Sequence, residues 1–214
     1  MAEHDARLTS GAEFWNARYR AVPAAFGEGV TPVVAEWSPL FAPGARVLDL
    51  GAGEARNALF LVRRGVQATA LDFARDGLDK AAARAADEGL VLDVEEEDLR
   101  EWKPEKETWD GLVCVFVHLL PDERETLCRA MRAALAPGGV LIGEWFTPEQ
   151  ADYASGGPSA PDRFVTPEEL LGAFEGVGEV LLCESGPRVL DEGPFLQGPA
   201  ATVRFVFRNM SEAP

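Results

Sequence analysis

Cysteine and histidine are scarce in this chain of 214 residues: three Cys (Cys114, Cys128, Cys183) and two His (His4, His118). Three cysteines without a Cys-x-x-Cys pair make no disulfide framework, and with two histidines they make no metal-binding set. Reduced, mostly buried thiols of a cytoplasmic protein are the expectation, with no metal site. Cationic side chains are also short: 20 Lys and Arg stand against 36 Asp and Glu, a formal net charge of −16. Duplex binding rests on neutralising phosphates with Lys and Arg, so nucleic acid is not the expected partner. The acid surplus reads as solubility, or as adaptation to a salty cytoplasm, ahead of any acidic-patch function. Long apolar runs are missing as well. Nothing approaches a membrane span, and Met1 to Ser10 is charged rather than signal-like, so no membrane partner is expected. The sequence carries no signal of oligomeric state.

What is present is a regular alternation of elements. The length, with 47% apolar residues, fits a single α/β domain over residues 1–214 with a sizeable core. Gly11 to Tyr19 reads as an amphipathic helix and Pro32 to Trp37 as another, making residues 1–43 a helical cap. Then come strand Arg46 to Leu50, helix Ala55 to Arg64, strand Val66 to Leu71 and helix Arg75 to Asp87. Strands Leu90 to Glu95 and Trp109 to Phe116 follow, then a helix from Asp122 to Leu135 and strand Gly139 to Phe146. Strands alternating with helices predict a Rossmann-like, doubly wound, mostly parallel sheet of seven strands with helices on both faces. Thr147 to Val165, rich in Pro and Gly, breaks the rhythm. A connection of that length is expected to form part of a substrate pocket, the alternative being a solvated loop. Thr166-Pro167-Glu168-Glu169 has the pattern of a capping box. Gly178 to Glu184 and Ala201 to Arg208 read as the last two strands. The one-sided alternation of Thr202, Arg204 and Arg208 with Val203, Phe205 and Phe207 suits an antiparallel pair at the sheet edge.

The densest signal is Arg46-Val47-Leu48-Asp49-Leu50-Gly51-Ala52-Gly53-Glu54-Ala55-Arg56-Asn57, an apolar strand running into a Gly-x-Gly turn that opens a helix. In an open α/β sheet such a turn lies at the carboxyl end of its strand, where ligands bind, and bare glycines let a ligand approach the backbone. Asp72 ends the next strand, about twenty residues on, the spacing at which an acid reaches a ribose hydroxyl pair. The residues argue against a dinucleotide. Arg56 stands where the pyrophosphate fingerprint needs a third glycine or alanine, and Glu54 would repel the phosphates. S-adenosylmethionine carries no phosphate, and its ammonium and sulfonium suit acids such as Asp49 and Glu54.

These residues resemble a known family. Val47 to Gly53 is similar to the first motif of class I S-adenosylmethionine-dependent methyltransferases. Gly51-Ala52-Gly53-Glu54-Ala55-Arg56-Asn57 resembles the Gly-x-Gly-Glu-Gly-Arg-Asn version of tellurite-resistance-type enzymes, with Ala55 in place of its third glycine. Phe14 to Tyr19, Glu97-Asp98-Leu99, Trp109 to Leu119 and Leu135 to Leu141 resemble further motifs in the family's order, so the resemblance runs from Phe14 to Arg208. It implies an antiparallel last strand, S-adenosylmethionine as cofactor and methyl transfer to a small-molecule acceptor, a thiol or chalcogen species among those implied. The alternative is a module that binds S-adenosylmethionine or S-adenosylhomocysteine without turnover.

Methyl transfer needs alignment and exclusion of water more than activation. Asp49 is placed to hold the cofactor ammonium, with a turn-stabilising Asp as the competing reading. Gly51 and Gly53 give backbone access. Arg56, beside Asn57 at the helix start, matches a carboxylate as a fork donor, or is exposed in an i,i+4 charge pair. Asp72 accepts from both ribose hydroxyls, or caps the following helix. Phe73 lies against adenine, or in the core. The resemblance places Asp98 at the adenine amino group and the Leu99 backbone at a ring nitrogen. Val115 to His118 end the fourth strand beneath the reacting methyl, and His118 is the candidate catalytic base or acceptor ligand, against a purely structural histidine. Glu144 and Tyr153 are weaker candidates. Trp15, Arg18 and Tyr19 close over the donor, or simply pack a helix onto the domain.

Overall fold

Residues that alternate along each strand enter opposite layers, and this sorting builds the molecule. The computed structural model describes residues 11–210, so the reading of Met1 to Ser10 lies outside the described residues. Val47 of β1 (Arg46–Leu50) enters one core, with Val33 and Val34 of α2 (Pro32–Trp37), Leu61 of α3 (Arg56–Arg63) and Leu78 of α4 (Arg75–Asp87). Leu48 and Leu50 point the other way, toward Leu127 and Met131 of α5 (Pro121–Ala134) and Leu170 of α6 (Pro167–Ala173). β4 (Trp109–Val115) repeats the pattern, Leu112 and Cys114 on one side and Val113 on the other. Helices therefore cover both faces of the sheet.

β2 (Gln67–Asp72), β3 (Asp93–Glu96), β5 (Leu135–Phe146), β6 (Gly178–Asp191) and β7 (Gln197–Asn209) complete a seven-stranded sheet of order β3-β2-β1-β4-β5-β7-β6. The pairings β1–β2, β1–β4, β2–β3 and β4–β5 are parallel. β7 runs antiparallel to both β5 and β6. The chain moves outward from β1 to β3 and returns to β4 on the other side of β1, so the direction of winding switches between β1 and β4. A crevice opens outside the carboxyl ends of strands at such a point. A helix α1 (Ala12–Ala21) lies across it, because Lys80 of α4 donates to the carbonyls of Tyr19 and Val22, the latter at 2.6 Å, and the Asn16 amide oxygen accepts from the Asp76 amide at 2.9 Å.

The capping box forms as expected: Thr166 Oγ1 accepts from the Glu169 amide at 3.2 Å, and Glu169 Oε2 accepts from the Thr166 amide at 3.0 Å. The last two strands are longer than their alternation suggests. β5 pairs with β7 only over Thr202 to Arg208, whereas β6 and β7 stay paired from Gly178↔Asn209 to Asp191↔Gln197. The two-stranded arm projects past β5 and carries Glu192 and Leu196 to the crevice. Pro187 and Gly186 mask that length in the sequence, since an arm paired on one side tolerates them. Cys114, Cys128 and Cys183 are free, and burial pushes the Cys128 thiol up to about 11. Among the described residues no helix is long and apolar enough to cross a membrane, and no cluster of His, Cys, Asp and Glu is arranged to hold a metal ion.

Candidate functional site

The turn after β1 can be made by few residues. Gly51 and Gly53 hold φ of +66° and +57°, where a side chain is strained. A Cβ on Gly51 would sit 2.6 Å from Val117 Cγ2, and one on Gly53 2.5 Å from Tyr19 Oη. Ala55 takes a third left-handed position, φ +52°, with its methyl buried. The left-handed conformation explains why a glycine is common there, and alanine fills it at modest strain.

Two buried acids brace the turn. Asp72 Oδ2 accepts from the Gly53 amide and Oδ1 from the Ala74 amide, both at 2.8 Å, clipping the loop to the end of β2. Asp49 Oδ2 accepts from the Ala58 amide at 3.1 Å. Burial outweighs these amides and raises the Asp49 carboxyl to about 7 and the Asp72 carboxyl to about 6. Glu54 departs from expectation. Lys80 Nζ pairs with its Oε1 at 2.9 Å and the Ala25 amide donates to its Oε2 at 2.7 Å, so its charge is neutralised by the fold.

Arg56 is neither exposed nor in an i,i+4 pair. Its buried guanidinium pairs with Glu192 on the β6–β7 arm and donates to the Phe26 carbonyl at 2.9 Å. With its fork engaged by protein acceptors, the expectation of a ligand-carboxylate clamp is corrected: Arg56 joins the loop helix to the arm. Asn57 Oδ1 accepts from the Thr31 amide at 2.9 Å and ties down the N-terminal segment. Asp98 takes Arg100 Nε on its two oxygens at 2.8 and 2.9 Å, and this guanidinium holds its carboxyl below the usual range. Glu144 is fully buried under Arg188, at 2.6 and 2.7 Å, and Tyr153 is exposed. Neither faces the crevice, so both are corrected as candidates.

β4 ends in an unusual turn. Phe116 has φ +56°, left-handed for an aromatic residue, and its ring stacks on Phe146 at 4.7 Å. The turn sends Val117 against Gly51 and lays His118 beside Phe146, 5.6 Å between ring centres. The His118 carbonyl accepts from Arg163 Nη1 at 2.6 Å, joining the long loop to the end of β4. Burial, then the charges of Arg163 and Arg18, pull the imidazole down to about 3. That direction favours the second of its two expected roles, a hydrogen-bonding ligand of the acceptor, over the base.

One cavity of about 770 Å³ gathers these elements. Trp15, Tyr19, Asp49, Gly51, Gly53, Arg56, Asn57, Asp72, Phe73, Asp98, Leu99, Val115 and His118 all line it, as do residues 157–161 and Arg163 of the long loop. Tyr19 is buried with its ring stacked on Trp15, centres 6.3 Å apart. Phe26, Arg163 and Leu196 line the cavity without a motif to announce them. A Pro-rich loop as the expected pocket wall was the only hint of Arg163, and nothing local points to the other two.

Residues 47–139 match the methyltransferase domain family. With the winding of the sheet and the crevice at its switch point, this makes the segment a methyltransferase domain of the class I, S-adenosylmethionine-dependent type. The chain is 30% identical over 102 residues to the ubiquinone biosynthesis O-methyltransferase of Xanthomonas campestris pv. campestris, covering 47% of this chain and 42% of that relative. It thus spans less than half the length of that protein. Among solved structures, one described for the conversion of a disulfide bond into a thioacetal group during echinomycin biosynthesis superposes with a TM-score of 0.74 at 18% identity, over 94% of both chains. TehB from Haemophilus influenzae does so with a TM-score of 0.69 at 17% identity, over 84% of this chain and 62% of its own. At these identities the two structures speak to the fold.

Proposed function

We propose that this chain transfers a methyl group from S-adenosylmethionine to a small-molecule acceptor whose nucleophile is a thiol or another chalcogen. The observation that carries the donor half is the pairing of two obligate glycines with two buried acids, Asp49 and Asp72, at the switch point of the sheet. The chemistry of that set fits the donor. Buried carboxylates favour a cationic ligand, the bare backbone at Gly51 and Gly53 admits close approach, and Asp72 keeps lone pairs for hydroxyls beyond its two amides. Phe73 and Leu99 supply apolar walls for a base, and Trp15 and Tyr19 cover the crevice from α1.

The donor supplies a methyl group already activated on a cationic sulfur. The chain's residues align the two partners and keep water out, which is where an in-line displacement gains most. The acceptor reading rests on His118. An imidazole pulled down to about 3 takes a proton poorly. Of the cavity acids, Asp49, Asp72, Asp98 and Glu123 are engaged by backbone amides or Arg100, Glu54 by Lys80 and the Ala25 amide, and only Glu97 is exposed without a partner among the described residues. A nucleophile that arrives with its lone pair available needs no base. His118 then serves as a hydrogen-bonding wall of the acceptor site. The relative named an O-methyltransferase points to oxygen instead, so both belong in the test.

Calorimetry with S-adenosylmethionine and S-adenosylhomocysteine should give saturable binding at one site, and an absence of heat with either ends the donor reading. Labelled donor should then pass its methyl to small thiols or selenols ahead of phenols and alcohols. Faster transfer to phenols would replace the chalcogen reading with an oxygen acceptor. Binding without transfer to any of them would make the chain a non-catalytic binder.

A further inference from the structure

Among the described residues four arginines line the cavity, and they divide into two pairs. Arg56 is held by Glu192 and Arg100 by Asp98. Arg18 and Arg163 have no carboxylate partner among the described residues. In a chain of net charge −16, leaving two guanidiniums unpaired in one recess runs against composition, where spare acids are plentiful.

Arg18 is half-buried and lies over aromatic faces, 4.8 Å from the centre of the Phe195 ring and 4.9 Å from that of Phe14. These contacts fix the plane of the guanidinium but satisfy none of its N–H donors. Arg163 is half-buried as well. One nitrogen, Nη1, donates to the His118 carbonyl, which orients the group without neutralising it. Arg163 is tied to the His118 carbonyl, and Arg18 lines the same cavity from α1. Around them the walls are apolar, with Phe116, Pro158 and Leu196 in the lining.

We propose that the acceptor is an organic carboxylate with an apolar or aromatic body, held through its carboxylate by Arg18 and Arg163. The inference rests on the acceptor occupying the same cavity as the donor. A guanidinium presents parallel N–H donors that match the two oxygens of a carboxylate, and desolvation in an apolar recess strengthens such a pair. The aromatic and proline walls recognise the body by area and shape. The arrangement also sorts ligands by charge, the acids beside the glycine turn for a cation and Arg18 and Arg163 for an anion.

Benzoate and benzamide form the probe pair, nearly identical in shape and different in charge. By calorimetry on the full chain, benzoate should bind at least about tenfold more tightly than benzamide. Arg18→Gln and Arg163→Gln should each bring that ratio toward one. Equal binding of the two probes, a ratio that survives in either variant, or no saturable binding of benzoate overturns the carboxylate site. Titration of the same samples with S-adenosylhomocysteine separates this failure from that of the donor reading, and a benzoate preference that vanishes once the donor product, with its own carboxylate, is bound would assign the arginines to the donor and overturn the acceptor site. Donor-product binding without a benzoate preference sinks only the carboxylate, and benzoate preference without donor-product binding sinks only the methyl donor.

Discussion

The two sides of the cavity are built on opposite electrostatic plans. Beside the glycine turn, two carboxylates are sunk below the surface and propped by backbone amides, so they are rigid and reluctant to ionise. On the other side, the guanidiniums of Arg18 and Arg163 lie on rings or on a carbonyl, with no carboxylate partner among the described residues. The first side is made from consecutive strand ends, β1 and β2, and moves only if the sheet moves. The second is assembled from α1, the end of β4 and the long loop. Under the proposed reading the contrast is a division of labour, the scaffold holding the donor and the loops choosing the acceptor.

The largest effect should come from Asp72→Asn. The amide side chain accepts on one atom only, so either the Gly53 or the Ala74 amide loses its partner, and the ligand loses a charged acceptor. Hydrogen bonds to charged groups contribute about 1.5–3 kcal/mol each, so donor affinity should fall on the order of 100-fold in calorimetry. Benzoate affinity should move by less than about threefold, since separate sites respond nearly independently. A matching loss on both sides would erase the distinction between them.

A pH titration sharpens it further. In the free protein the Asp49 and Asp72 carboxyls rise to about 7 and about 6, so the fold holds those protons more tightly than the unfolded chain, whose aspartates titrate near 4. Their contribution to stability is fully present below about pH 4 and is lost as pH rises through about 6 to 7. A cationic donor reverses the preference, because it binds the ionised acid. Its affinity should drop by up to about tenfold per unit as pH falls below 7, and the thermal shift it induces should grow as pH rises. Asp49→Asn should flatten both curves. Donor binding that ignores pH in the parent would show that no buried acid meets the cation.

His118→Asn tests the other side with a smaller effect. Removing a general base costs on the order of 10²–10⁴ in rate. A neutral wall residue that Asn can mimic as a hydrogen-bonding group should cost less than about tenfold in kcat. Loss of activity by a thousandfold, with donor binding intact, would restore the histidine to the role of base.

The glycine-turn side was legible in the sequence, and the reason is local. Asp49, Gly51 and Gly53 lie on one strand and its turn, Asp72 and Phe73 at the next strand end, and parallel winding brings those ends together without further information. Val115 follows by the same rule, whereas Asp98 and Leu99 were indicated by the resemblance. The other side was legible only as a Pro- and Gly-rich stretch of suitable length. Arg56 meets Glu192 136 residues away, and Arg163 reaches His118 across 45. No local pattern encodes either pairing. The weak basicity of His118 was equally hidden, since burial and two distant arginines produce it. The left-handed Phe116, which aims Val117 and His118, has a strand-like sequence on its N-terminal side and gives no sign of the turn.

Ala55→Gly probes the scaffold side at its one departure from the resembling pattern, and its effect should be the smallest. An alanine at φ +52° pays roughly 1–2 kcal/mol of left-handed strain that glycine would relieve. Against this, glycine adds about 0.4–1 kcal/mol of unfolded-state entropy. It also removes a fully buried methyl, worth about 0.8 kcal/mol. The terms nearly cancel, so the melting temperature should shift by less than about 3 °C. Donor affinity should hold within about twofold, because the loop keeps its path. A rise well beyond that range would mean that the methyl finds no packing and that Ala55 persists at a net cost to the fold. A fall beyond it would mean that the methyl is wedged into the core between α3 and β1 and that alanine is the better residue for this chain.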